Sequence, residues 1–408
     1  TSKAAQEMKE RMLLYPGITK EMGERLLIRT FHSLFLQMLK HHQSEQWHHS
    51  RLIQSPHYLV KQIGMTLGLD ENEFAYDSAV TQISFWKNHM IAPEQVKTKT
   101  AFEEKVKTLY QEYEQQKQVQ HYYDFDDILL GCLALLQENP ALLEKYQERF
   151  SYLSVDEFQD INLLQFEIVR LLSQKNDNLC VVGDDDQSIY AFRGSDPSFI
   201  QSFQSYYPSA MIVTLEDNYR STHEIIGTAK TVIQKNQQRL SKTLRAQVTK
   251  VDNTPTIFYS YNEEEEASII VEEITSTLAT GQSIEQIAVL FRTSAGARAL
   301  TERLIEADIP FQLDQTAGTF YDKPIVQKAL AFLRLALYED HDEAAPYAIQ
   351  ALFLKQDKHL ELIAIKQKRA CTLLEAFPFL TGTQPFQRKK LQQLPRLCKN
   401  LTTLSPIQ

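Results

Sequence analysis

Tyr152-Leu153-Ser154-Val155-Asp156-Glu157-Phe158-Gln159-Asp160 is a short apolar run that ends on two adjacent acids. Two later runs behave alike. Leu179-Cys180-Val181-Val182 leads into Gly183-Asp184-Asp185-Asp186-Gln187, and Met211-Ile212-Val213-Thr214-Leu215 leads into a polar cluster at 216–221. Helical patterns lie between the three. Continuous apolar runs alternating with helices imply a parallel sheet buried on both faces. In such sheets the chemistry gathers just past the C-terminal strand ends. The polar clusters at 156–160, 184–187 and 216–221 all occupy that position.

Each cluster carries residue types with a specific use. Phosphoryl transfer from a nucleotide needs one carboxylate to hold magnesium and a second group to orient the attacking water. Asp156 suits the first task and Glu157 the second. Taken alone, an Asp-Glu pair reads as a solvated strand end, and its company is what raises it above that. Gln187 follows three acids and is placed to meet a terminal phosphate. A few residues on, Tyr190 and Phe192 flank Arg193, and stacking rings beside a cation suit a nucleic-acid single strand. In Asn218-Tyr219-Arg220-Ser221-Thr222 the arginine suits transition-state charge arriving across a cleft. By itself it would read as an ion-pair partner.

Outward from these clusters, 408 residues exceed what one core usually serves. Residues 3–14 read as a helix, Leu26-Leu27-Ile28-Arg29 as a brief strand, and Thr30 as the N-cap of a helix over 31–40. Residues 41–120 are polar, Gln-rich and helical, the composition of an insert rather than a sheet. Thr256-Ile257-Phe258-Tyr259, a helix over 263–278, Ile287-Ala288-Val289-Leu290-Phe291 and a helix over 295–307 repeat the α/β alternation, and helices follow from about Pro324. The acidic run 263–266 reads as a helix start favoured by the macrodipole.

The net charge of −9 argues weakly against a duplex binder that relies on phosphate contacts. With 21 Phe and 18 Tyr, recognition of a single strand through stacking stays open. The four cysteines are scattered, which reads as reduced thiols in a cytoplasmic protein. No apolar run is long enough for a bilayer, and the first residues show no secretion signal. His41, His42, His48 and His49 lack acid or thiol companions at ligand spacing and read as solvated. The basic stretch 388–399 reads as a solvated helix face.

Three strings closely resemble motifs II, III and IV of the UvrD/PcrA/Rep superfamily 1 helicases. They are Val155-Asp156-Glu157-Phe158-Gln159-Asp160, the run from Gly183 through Asp184-Asp185-Asp186-Gln187-Ser188-Ile189-Tyr190-Ala191-Phe192-Arg193 to Gly194, and Leu215-Glu216-Asp217-Asn218-Tyr219-Arg220-Ser221-Thr222. Thr1-Ser2-Lys3-Ala4-Ala5-Gln6-Glu7-Met8 resembles motif Ia, Thr30-Phe31-His32-Ser33 motif Ib, and Asp124-Phe125-Asp126-Asp127 a short block preceding motif II. A looser likeness runs through Tyr321-Asp322-Lys323-Pro324.

The resemblance implies two RecA-like α/β parallel-sheet domains with inserted helical subdomains. The first would comprise residues 1–40 and 121–216, interrupted by a helical insert at 41–120. The second would span 217–335, and an accessory helical subdomain would begin at 336–408. It implies ATP and Mg2+ as cofactors. Asp156 would hold the metal, Glu157 would activate water, Gln187 would touch the terminal phosphate, Tyr219 would stack on adenine, and Arg220 would be an arginine finger. Tyr190 and Phe192 would grip single-stranded DNA, Arg193 would link the DNA and nucleotide sides, and Ser2, Lys3, Thr30 and His32 would line the DNA path. Relatives commonly carry Asn in place of Ser2 and Trp in place of Phe192. Single-strand/duplex junctions and repair or replication proteins are the implied partners, with 3′-to-5′ movement. The sequence holds no Gly-x-x-x-x-Gly-Lys-[Ser/Thr] loop. The chain therefore reads as a piece of a longer helicase, expected to be inert alone as an ATPase. The rival readings are a DNA-binding or regulatory relative without ATPase activity and a helicase–nuclease subunit.

Overall fold

A computed structural model describes residues 2–70, 73–248, 254–293, 296–313, 323–338, 340–355 and 358–401. The chain divides into two compact units, Thr1–Pro255 and Thr256–Gln408.

The first unit opens with α1 (Ser2–Leu13), α2 (Lys20–Arg25) and α3 (Phe31–His42). Thr30 starts α3 as expected, its hydroxyl accepting the Ser33 N–H at 3.4 Å. The expected insert is helical: α4 (Pro56–Thr66), α5 (Tyr76–Asn88) and α6 (Ala101–Gln120). Their apolar faces meet in a separate core of Val60, Ile63, Ala79, Ile83, Trp86, Val106, Leu109 and Tyr113. α7 (Phe125–Glu138) and α8 (Pro140–Arg149) follow. α7 packs on α3 through Phe35, Leu39, Leu129, Cys132 and Leu136.

Beyond them lie β1 (Leu153–Val155), α9 (Leu163–Ser173) and β2 (Leu179–Val181), with β1 and β2 paired in parallel, Leu153 opposite Leu179. This is the strand–helix–strand unit with parallel strands that the sequence pattern predicts. Val155, Phe158, Phe166 and Val169 bury its inner side against α10 (Ser198–Gln201) and α11 (Phe203–Tyr206), with Phe166 stacked on Phe199 at 4.4 Å. β3 (Asp217–Asn218), α12 (His223–Ile233) and β4 (Arg245–Ala246) close the unit, with β3 and β4 again parallel.

The second unit holds α13 (Glu263–Ala279) packed on α14 (Ala297–Glu306) through Ile274, Leu300 and Leu304. Asn262 caps α13 and the four glutamates 263–266 fill its first turn, where the macrodipole favours them. α15 (Pro324–Leu337), α16 (Ala345–Ala351), α17 (Lys358–Arg369), α18 (Leu373–Ala376) and α19 (Pro385–Leu401) share one core around Leu335, Ile349, Leu362, Phe377 and Leu391.

The structure is a helix-rich α/β fold with small parallel sheets, and it departs from the sequence expectation at four apolar runs. Residues 26–29, 211–215, 256–259 and 287–291 form no strand among the described residues. Residues 211–215 and 256–259 are exposed, Met211 at 87%, whereas in 287–291 Leu290 is 94% exposed while Ile287 and Val289 pack on the α13–α14 core. A parallel strand exists only through ladder hydrogen bonds to a neighbour, and no ladder pairing among the described residues involves these runs. The pairing that follows residues 211–215 begins two residues later, at Asp217. Tyr321 and Asp322, from the looser likeness, and Ala295, from the expected helix start, lie outside the described residues.

Candidate functional site

Asp156 and Glu157 stand where β1 ends. Glu157 takes a left-handed backbone (φ 53°), a conformation sparsely used by residues with a Cβ and concentrated at functional sites. This kink ends the strand and starts a tight helical turn over Phe158–Asp160. Asp156 accepts the Glu157 N–H at 3.0 Å, and no Lys or Arg among the described residues pairs with either carboxylate. Asp160 has a buried carboxylate oxygen with no hydrogen-bond partner, and burial together with the nearby Glu157 charge pushes its pKa up.

One side chain joins this turn to the next strand end. Gln159 is buried, donates from Nε2 to Glu157 Oε2 at 2.8 Å, and accepts the Asp184 N–H on Oε1 at 3.0 Å. Gly183 makes the approach workable, because a Cβ there would lie 2.5 Å from Gln159 Oε1 and 3.1 Å from the Phe158 backbone nitrogen. The water-activating candidate and the acid triplet are thereby coupled through a single amide.

Asp184, Asp185 and Asp186 come close enough to resemble a metal cradle. Cations of the protein fill it instead. Lys242 reaches all three carboxylates, and Arg239 forks onto Asp186 at 2.8 and 2.5 Å. The Asp186 pKa is lowered, first by the Arg239 hydrogen bonds. Gln187 donates its amide to Asp184 Oδ2 at 2.9 Å.

The two rings and the arginine expected to act together do come together. Tyr190 and Phe192 lie 6.2 Å apart and are 40% and 60% exposed. Arg193 sits 5.7 Å from one ring and 5.4 Å from the other. Gly194 ends this turn with φ 84°, packed near Asn88 of α5 and His89 just past its end. Tyr219 is 77% exposed, and Arg220 is exposed beside it. Asn218 Oδ1 accepts the Arg220 and Ser221 N–H groups at 3.0 and 2.8 Å, a side-chain turn that fixes the backbone and leaves both side chains outward.

No described hydrogen bond or ring contact joins the remaining expected residues to these. Thr30 serves the α3 cap, and His32 stands edge-on to Phe125 at 6.0 Å, its pKa lowered by burial. Lys3 is exposed on α1; the Ser2 side chain and Thr1 lie outside what is described. No described hydrogen bond or ion pair joins Tyr219 or Arg220 to Asp156 or Glu157. Sequence reasoning missed Gln159, Arg239, Lys242 and Phe125 as site residues. Only the acid triplet, which demands cations somewhere, hinted at the two basic ones.

Comparison with known proteins gives the family. The family described as UvrD/REP helicase N-terminal domain matches residues 1–208, and UvrD-like helicase C-terminal domain matches 213–378. The putative ATP-dependent DNA helicase YjcD of Bacillus subtilis is 42% identical over 100% of this chain and 54% of its own length. The ATP-dependent DNA helicase PcrA of Staphylococcus aureus is 33% identical over 84% of this chain and 47% of its own. The chain thus spans about half the length of these curated relatives. With both matches in chain order over the strand-end clusters described above, the chain belongs to the UvrD/REP helicase family.

Proposed function

We propose that this chain is part of the motor of an ATP-dependent DNA helicase, coupling ATP hydrolysis to 3′-to-5′ movement on single-stranded DNA and to duplex unwinding. The observation that carries the reading is the amide link of Gln159. It ties Glu157, the candidate water-activating base, to the loop that begins at Asp184 and carries Gln187 and the Tyr190–Phe192 pair. A motor needs that connection, because phosphate state and grip on the strand must change together.

The residues present fit a magnesium–nucleotide complex. Asp156 is an acidic oxygen donor that no cation among the described residues pairs with, at a strand end where a hard divalent ion is normally held. Magnesium there would neutralise charge on the phosphates. Glu157 would orient and deprotonate the attacking water, Gln187 would contact the terminal phosphate, Tyr219 would stack on the base, and Arg220 would approach the phosphates as a finger. Tyr190, Phe192 and Arg193 would hold a single strand by stacking and cation–π attraction. Ser2, Lys3, Thr30 and His32 would lie along its path.

The domain reading is retained as part of the proposal: two RecA-like domains at 1–40 with 121–216 and at 217–335, with helical segments at 41–120 and 336–408. Single-strand/duplex junctions are the proposed substrate, and repair or replication proteins in the cytoplasm the proposed setting. No helix of the described residues is long and apolar enough to cross a membrane. The 408-residue sequence contains no phosphate-loop string, and we propose that it does not hydrolyse ATP alone.

The test uses the intact protein. Glu157→Gln should keep nucleotide binding and lose DNA-stimulated turnover, by roughly 10²-fold or more for removal of a general base. Turnover at the wild-type rate in that variant removes Glu157 as the base. An intact wild-type protein without DNA-stimulated turnover favours the regulatory reading.

A further inference from the structure

We infer that Arg239 and Lys242 are positioning residues of the nucleotide site, a basic latch that sets Gln187 by holding the acid triplet beside it. The inference rests on the helicase reading and adds residues to it from outside the strand-end clusters.

Three consecutive carboxylates packed into one helical turn repel each other, and the turn over Asp185–Gln187 keeps its shape only if cations answer them. Lys242 pairs with Asp185 at 2.8 Å and Asp186 at 3.0 Å and also with Asp184. Arg239 grips Asp186 with two donors, the fork geometry that fixes direction as well as distance. The Leu240 N–H donates to buried Asp185 at 2.7 Å, and Gln201 ties that carboxylate to the Gln238 carbonyl. Asp184, held by Lys242, is the carboxylate that accepts the Gln187 amide. The latch therefore acts on Gln187 through one intervening side chain.

The same segment continues to the other half of the proposed site. The Thr243 N–H donates to Glu216, Arg245 pairs with Glu216 at 3.2 Å, and β4 bonds β3, whose Asn218 shapes the Tyr219-Arg220 turn. Residues 238–247 thus join the phosphate-contacting glutamine to the segment that carries the base-stacking ring and the arginine finger. Asp184, against its own burial, and Asp186 have lowered pKa values through their hydrogen bonds to Lys242 and Arg239, and Lys242 has a raised one against its own burial.

The experiment is steady-state ATP turnover by the intact protein with and without single-stranded oligonucleotide, with circular dichroism to verify folding. Lys242→Met should lower DNA-stimulated kcat by about 10²-fold, the usual effect of misplacing a positioning contact by an ångström, with single-strand affinity kept when no nucleotide is added. Lys242→Arg should keep most of the turnover. The exchange of Asp186→Arg with Arg239→Asp should recover much of what either single change loses. Equal impairment in Lys242→Met and Lys242→Arg, or a folded double exchange no better than its singles, overturns the latch, as does wild-type turnover in Lys242→Met. If Lys242→Met does not fold, the Asp186/Arg239 exchange decides alone. A wild-type protein with no turnover removes the helicase reading and the latch with it; a normal wild type beside a normal Lys242→Met removes only the latch.

Discussion

At the residue scale the acids were legible and their connections were not. Asp156 and Glu157 could be read because a strand end in a parallel sheet is where chemistry accumulates. Gln159 was visible in the same string, but its amide bonds residues 25 positions apart, which no local pattern encodes. Arg239 and Lys242 stood more than fifty residues from the acids they neutralise. Phe192 tests the DNA side. Its ring is 60% exposed with a guanidinium alongside, so it contributes little to the core and much to a surface platform. In the intact protein Phe192→Ala should weaken single-strand binding by roughly 1–3 kcal/mol, the value of one stacked base. Its melting temperature should barely move. Fluorescence anisotropy with a labelled oligonucleotide checks this; an unchanged affinity removes the ring from the DNA path.

At the element scale the helical insert is fastened to the rest of the first unit by charge. Lys87, at the end of α5, is fully buried and lies 2.7 Å from Asp124 and 2.6 Å from Asp127 at the start of α7. Lys117 of α6 reaches the same two acids, and the Tyr113 hydroxyl donates to Asp124 at 2.9 Å. Burial alone would raise the Asp124 pKa; the Lys87 and Lys117 charges override it and hold the carboxyl far below the usual range. Lys87 is moved up against its own burial by Asp124 and Asp127. Such a network adds little net stability relative to an apolar core, yet losing one member is costly. Lys87→Met should destabilise the first unit by about 3–5 kcal/mol, read from the urea midpoint. The sign with pH follows from the depressed carboxylate. Its contribution is present above the unfolded value of about 3.9 and is lost as pH falls from there. The wild type should therefore lose stability steeply below that pH, and Lys87→Met much less so. Parallel acid-unfolding curves for the two would place the stabilisation elsewhere. The helical character of residues 41–120 was legible in the sequence, and the cap at Asp124 was not read from it. The buried lysines left no sign in it, because Lys is ordinarily a surface residue.

At the scale of the whole molecule, the α/β alternation was readable and the sheet was only partly realised. β1 and β2 pair as expected, whereas residues 211–215, 256–259 and 287–291 form no ladder; the first two are exposed throughout, and the last turns Leu290 outward while Ile287 and Val289 pack on the α13–α14 core. Apolar strings of this kind were read as strand interiors because sequence reports hydrophobicity and not neighbours. The two cases differ measurably. Leu215 and Leu290 are 78% and 94% exposed, while Leu391 in the α15–α19 core is 1% exposed. If the runs are surface in the 408-residue chain, Leu215→Ser and Leu290→Ser should each change its stability by no more than about 0.5 kcal/mol, as surface substitutions do. They should also lower binding of a hydrophobic fluorescent dye, since contiguous exposed apolar surface is what such dyes take up. Leu391→Ala should cost about 2–5 kcal/mol through lost burial and the cavity left behind. A comparable loss in Leu290→Ser would mean that this run is packed as a sheet interior. The parallel-sheet reading would then extend further into the second unit than its described hydrogen bonds do.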